Sequence, residues 1–136
     1  MSKITKIIAR KIIDSRGNPT VEVDIESDNK VFGRAAAPSG ASKGMFEVKD
    51  YPKNDIDFGI KNFNLNITNK LIGTDISDQR NFDTTLHDID KTEDFSAIGG
   101  NIAIAASMAF AKLSAKSENI KLYRKLFGSK GKPIMP

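Results

Sequence analysis

Hydrophobic and polar positions along this chain follow two periods, and the switch between them divides it. From Thr20 to Glu26, "TVEVDIE", apolar and polar residues alternate strictly. That period of two places Val21, Val23 and Ile25 on one face of a strand and the polar side chains on the other. The isoleucine-rich segment Ile4 to Asp14 precedes it and ends in a turn cluster, Ser15-Arg16-Gly17-Asn18-Pro19. A second turn signal, Ser27-Asp28-Asn29-Lys30, leads to a third candidate strand from Val31 to Ala37. Three consecutive strands with short connections predict an antiparallel β-meander.

Beyond the strands the period becomes helical. Ile60, Phe63, Ile67 and Leu71 recur at helical spacing, with Gly73 as the stop. Phe82, Leu86 and Ile89 repeat the pattern, and Ser77 or Asp78 is placed to cap its start. From Asn101 to Lys116 the chain reads "NIAIAASMAFAKLSAK", whose alanines favour helix and let a neighbouring element come close. A short last helix from Leu122 to Phe127 leads into a linker-like run from Gly128 to Pro133. The expected fold is α+β: a three-stranded antiparallel meander followed by about four helices packed on one face. We divide the chain into a domain over 1–128 and a linker over 129–136.

Composition narrows the function classes. A chain of 136 residues, 39% hydrophobic and 28% charged, suits one globular domain with one core. The absence of cysteine removes disulfides, thiolate metal sites and thiol nucleophiles. Met1 to Lys6 lacks the apolar run of a secretory signal. The longest apolar stretch, Ile102 to Ala111, is about half of the ~20 residues needed to span a bilayer. These features lead us to expect a cytoplasmic protein without membrane contact. The net charge is +4, but the lysines are scattered and the densest basic group (Lys121, Arg124, Lys125, Lys130 and Lys132) lies at the C-terminal end. No aromatic-basic signature accompanies them, so nucleic acid is not an expected partner.

The catalytic inventory is thin. The single histidine, His87, sits beside Asp88 on the second predicted helix, and no second histidine exists to complete an imidazole metal pair. Asp88, Asp90, Glu93 and Asp94 read as a solvated turn between helices rather than as a cation site. The stretch "PSGASKG", Pro38 to Gly44, leaves the end of the third strand. Gly40 and Gly44 are too close together for a phosphate-binding loop, and Lys43 precedes the glycine instead of following it. What remains open is a passive connection, or a glycine-hinged loop whose serines offer hydroxyl and carbonyl oxygens to a hard cation.

Four motifs then bear on this choice together: "DSRGNPTVEV" (Asp14 to Val23), "PSGAS" (Pro38 to Ser42), "GGNIAIAASMAFAK" (Gly99 to Lys112) and "LYRKL" (Leu122 to Leu126). In their order and spacing they resemble the N-terminal domain of the enolase family across essentially the whole chain. The departures are Lys43, where the family usually has threonine, Ile89-Asp90-Lys91-Thr92 in place of a Leu-Asp-Gly-Thr turn, Gly99 to Ala103 in place of "GANAI", and a poor match from Tyr51 to Asn66.

The resemblance implies a capping domain for an enzyme that dehydrates 2-phosphoglycerate to phosphoenolpyruvate. The loop Ser39, Gly40, Ala41, Ser42, Lys43 and Gly44 would close over the site, and Ser42 would ligate the second Mg²⁺ through its hydroxyl and carbonyl oxygens. Arg10 and Glu22 would lie at a dimer interface. The family's lysine base, glutamate acid and remaining magnesium ligands belong to a C-terminal barrel, so no catalytic residue is assigned here and the isolated chain is expected to be inactive. The expected partner is therefore an enolase barrel, as a separate chain or a missing domain, with Mg²⁺ shared between the two parts. Assembly would be a homodimer of enolase units, or a heterotetramer if the enzyme is split. A start at Met1 without a tag favours a split subunit over a fragment.

Overall fold

A computed structural model describes residues 1–38, 40 and 42–127; the linker assigned to 129–136 lies outside the described residues. Three antiparallel strands follow one another in chain order, β1 (Ile4–Ile13), β2 (Pro19–Ser27) and β3 (Phe32–Ala36). The turn after β1 is held by Asp14, whose Oδ1 accepts the Arg16 and Asn18 amides at 2.8 Å each. Gly17 supplies the positive φ, +80°, that this tight reversal needs. Ile7, Ala9, Val21, Val23, Ile25 and Ala35 all point into the core, as alternation predicts.

Helices then cover that inner face. Helix α1 (Ile56–Asn62) opens on Asp55, whose Oδ1 accepts the amides of Asp57 at 2.9 Å and Phe58 at 3.0 Å. It continues through a π-helical turn (Phe63–Ile67) into α2 (Thr68–Leu71), so the single periodic run read from the sequence widens in its middle. Phe63, Ile67 and Leu71 are buried, as their spacing requires. Gly73, at φ +88°, then turns the chain back and donates to the Ile4 carbonyl at 2.9 Å.

Helix α3 (Gln79–Asp90) is capped by Asp78, whose carboxylate accepts the Asn81 amide at 2.9 Å. Its Phe82 stacks on Phe110 of α4 (Gly100–Ser117), with ring centroids 4.4 Å apart. The short α5 (Leu122–Phe127) ends the described chain with no buried residue. Counting 56–71 as one run and setting aside a 3-10 turn at Pro52–Asn54, the described helices number the four expected.

Helix α4 is the backbone of the core. Ile102, Ala105, Ala106, Ala109, Phe110 and Leu113 are all fully buried against the sheet and α3. Each of the larger three contributes about 1.5–3 kcal/mol through burial. The helix rides so close to β3 that a Cβ on Gly33 would lie 2.7 Å from the Leu113 amide nitrogen, and closer still to the Ala109 carbonyl. The alanines on α4 and the missing side chain at Gly33 thus act together to set the helix on the sheet.

Candidate functional site

The loop that follows β3 is slung between two fixed points. At its start, the Ala37 amide donates to the Val21 carbonyl at 2.9 Å, and the buried Thr20 hydroxyl donates to the Ala37 carbonyl at 2.9 Å. At its far end, the Lys49 amide donates to the Asp94 carbonyl at 2.8 Å. The Lys49 and Asp50 carbonyls accept the amides of Gly100 and Asn101 at 2.7 and 3.2 Å. Residues 48–50 lie flat on the start of α4 for a steric reason. A Cβ on Gly99 would stand 2.7 Å from the Asp50 carbonyl, and one on Gly100 would collide with the Val48 side chain. The "GG" that opens the motif at Gly99 is therefore the seat of the loop's second anchor.

Between the anchors, Gly40, Ser42, Lys43 and Gly44 are exposed, and so are Met45 and Phe46. Ser39 and Ala41, also assigned to this loop, lie outside the described residues. The Glu47 amide reaches the Gly44 carbonyl at a long 3.4 Å. Lys43 does not project freely: its ammonium forms an ion pair with the Asp50 carboxylate. That hydrogen bond and the Asp50 charge raise the Lys43 pKa, so the amine is held as the cation. A cavity of about 290 Å³ is lined by Ser42, Lys43, Glu47, Asp50 and Asn101 together with Pro38 and Val48.

Ser42 offers two oxygens, a hydroxyl and a carbonyl, whereas a magnesium ion takes six oxygen ligands. Among the described residues no group of three or more His, Asp or Glu is placed to hold a metal. Ser42 by itself therefore has the oxygen donors for at most part of such a shell.

Arg10 and Glu22 are direct cross-strand partners in the β1–β2 register and meet at 2.8 Å. Two residues that the sequence reading passed over join them. Asp24 takes a hydrogen bond from Arg10 and two from Arg34, at 2.6 and 2.9 Å, Arg34 being its cross-strand partner on β3. Burial pushes the Asp24 carboxyl up, but the hydrogen bonds from Arg34 and Arg10 and their charges outweigh it and hold its pKa below the ordinary value. Strand alternation placed Glu22 and Asp24 on one face; their pairing with Arg10 and Arg34 needed the register.

His87 is exposed and packs edge-on against Phe95, ring centroids 4.6 Å apart, on the rim of an apolar groove between α3 and α4. Its neighbours there (Val48, Leu86, Ile104) make it a boundary packing residue. The acidic turn departs in part from the solvated reading. Asp88 and Glu93 are exposed, but Asp90 is only 4% exposed. Its carboxylate accepts the Ile98 amide at 2.6 Å, the Thr92 amide at 3.1 Å and the Thr92 hydroxyl. Orphan amides in the 92–98 turn draw this carboxylate inward.

A three-stranded meander covered by helices, with an exposed serine-bearing loop anchored at both ends, defines an α+β domain. Residues 4–126 match the family model described as enolase, N-terminal domain. The chain is 50% identical over 135 residues to the enolase of Methanosphaera stadtmanae, covering 99% of this chain and 31% of that protein. It is 49% identical over 129 residues to the enolase of Methanocorpusculum labreanum, covering 95% and 32%. The chain belongs to the enolase N-terminal domain family. It spans about a third of the length of these relatives. None of the described helices is long and apolar enough to cross a membrane.

Proposed function

We propose that this chain is the capping part of an enolase that interconverts 2-phosphoglycerate and phosphoenolpyruvate in the cytoplasm, in glycolysis and gluconeogenesis. The observation that carries the reading is the match of nearly the whole chain to about a third of each relative, including the loop with Ser42. In this reading the loop carries Ser42 to a magnesium ion whose other ligands, with the catalytic base and acid, reside on a C-terminal barrel. When bound, that ion would stabilise the charge that develops on the substrate after proton removal. The chain's own contribution is to deliver two oxygens and to exclude water as the loop comes down. Fixed anchors at Ala37 and Lys49 support such a role, because they confine movement to the residues between them.

Arg10 and Glu22 sit on the outer face of the sheet, and we assign that face to contact between enolase units. If so, Arg10→Ala should lower the dimer fraction of the assembled enzyme in sedimentation; an unchanged fraction removes the assignment.

Phosphoenolpyruvate formation from 2-phosphoglycerate and Mg²⁺ tests the main reading, with this chain alone, an enolase barrel chain alone, and the two mixed. Activity is expected in the mixture only, and Ser42→Ala should lower it about 100-fold, the scale for losing one charge-stabilising group. An inactive mixture, or activity indifferent to Ser42→Ala, overturns the reading.

A further inference from the structure

We propose that the ion pair between Lys43 and Asp50 is a tether that holds the loop carrying Ser42 against the start of α4. The two ends of this pair differ in kind. Asp50 belongs to the framework, since its carbonyl and that of Lys49 are bonded to the first amides of α4 and its backbone is wedged against Gly99. Lys43 belongs to the exposed part of the loop, beside Met45 and Phe46, which are 91% and 95% exposed. A contact between a fixed carboxylate and a cation on a loop with few other bonds among its described residues restrains the loop.

Both members of the pair line the cavity that Ser42, Glu47 and Asn101 share, so the contact ties the residue next to Ser42 to the framework at that cavity. Its side chains are 70% and 37% exposed, which keeps the attraction screened and the tether weak enough to release. That the tether sets the resting position of a catalytic loop rests on the function proposed above; that it holds the loop in this chain does not.

Amide hydrogen exchange at Glu47, whose amide is bonded to the Gly44 carbonyl within the loop, measured on the full chain, tests the tether directly. Asp50→Asn keeps the shape and removes the charge, and Lys43→Gln does the same from the other side. Each should speed exchange in the loop about threefold, the scale of one exposed ion pair, while exchange in α4 stays unchanged. The double variant should be no faster than either single one, because both remove the same contact. Salt at 1 M should speed the parent protein and leave both variants alone. Unchanged loop exchange in either single variant, or additive acceleration in the double, overturns the tether. Assay of Ser42→Ala separates the two readings: loss of the tether would leave that result intact, and the reverse also holds.

Discussion

The side chain of Asn64 completes the edge of β1 at Ala9. Its carboxamide oxygen accepts the Ala9 amide and its NH₂ donates to the Ala9 carbonyl, both at 2.8 Å. One side chain thus does for the strand edge what a neighbouring strand would do. Asn64 lies in the π-helical turn, and the wider turn aims it at the sheet. Asn64→Ala orphans two backbone groups and should cost about 2 kcal/mol of unfolding free energy. Asn64→Asp, which keeps the acceptor and loses the donor, should fall between. Urea denaturation of the three proteins measures both; an alanine variant as stable as the parent would contradict the edge role.

Gly33 allows no side chain. Gly33→Ala places a methyl against the Ala109 carbonyl and the Leu113 amide, which belong to helix backbone and cannot rotate away. Lifting α4 off β3 should cost about 3 kcal/mol. Calorimetry should show a Tm lower by roughly 10 °C for a domain of this size. A drop under about 2 °C would mean that the helix and sheet are not locked at this point.

Lys91 sits just past the end of α3 in the left-handed region, at φ +59° and ψ +8°, with its amide on the His87 carbonyl at 2.9 Å. A side chain there is strained, whereas glycine is not. Lys91→Gly should stabilise the fold by about 1 kcal/mol, the scale of the strain of a side chain in this conformation. Thermal melting decides the sign; destabilisation would show that the lysine makes a compensating contact.

Acid should weaken the domain in a defined window. Asp24, Asp75 and Asp94 are all held below the ordinary carboxylate value of 3.8. For Asp24, burial works upward and the arginine bonds outweigh it; for Asp75 the Ser77 amide leads, and for Asp94 the Ser96 hydrogen bond does. A lowered folded pKa means that the unfolded chain binds more protons, so stability rises with pH across the window. The contribution is complete above the unfolded value and is lost as pH falls through the folded one. The urea midpoint should decline below about pH 4. Asp24→Asn should start less stable and decline less steeply; parallel curves would remove Asp24 from the account.

Local pattern carried much of this protein. Alternation in "TVEVDIE" placed Val21, Val23 and Ile25 inward, and all three are fully buried. Helical spacing likewise found Phe63, Ile67, Leu71, Phe82 and Leu86, because the period of a side-chain pattern is a property of a few consecutive residues. The motifs around Ser42 and Gly99 identified the family from the order of residues alone. Other features needed the chain folded. Asn64 meets Ala9 across 55 positions, and Gly33 matters only because α4 arrives on top of it. Asp90 belongs by sequence to an acidic surface turn, yet the Ile98 amide pulled it inside. Lys43 faces Asp50 only because Gly99 and Gly100 seat residues 48–50 on α4. Periodicity reports which face a residue takes; which partner it meets depends on how closely distant segments pack, and only the tertiary structure decides that.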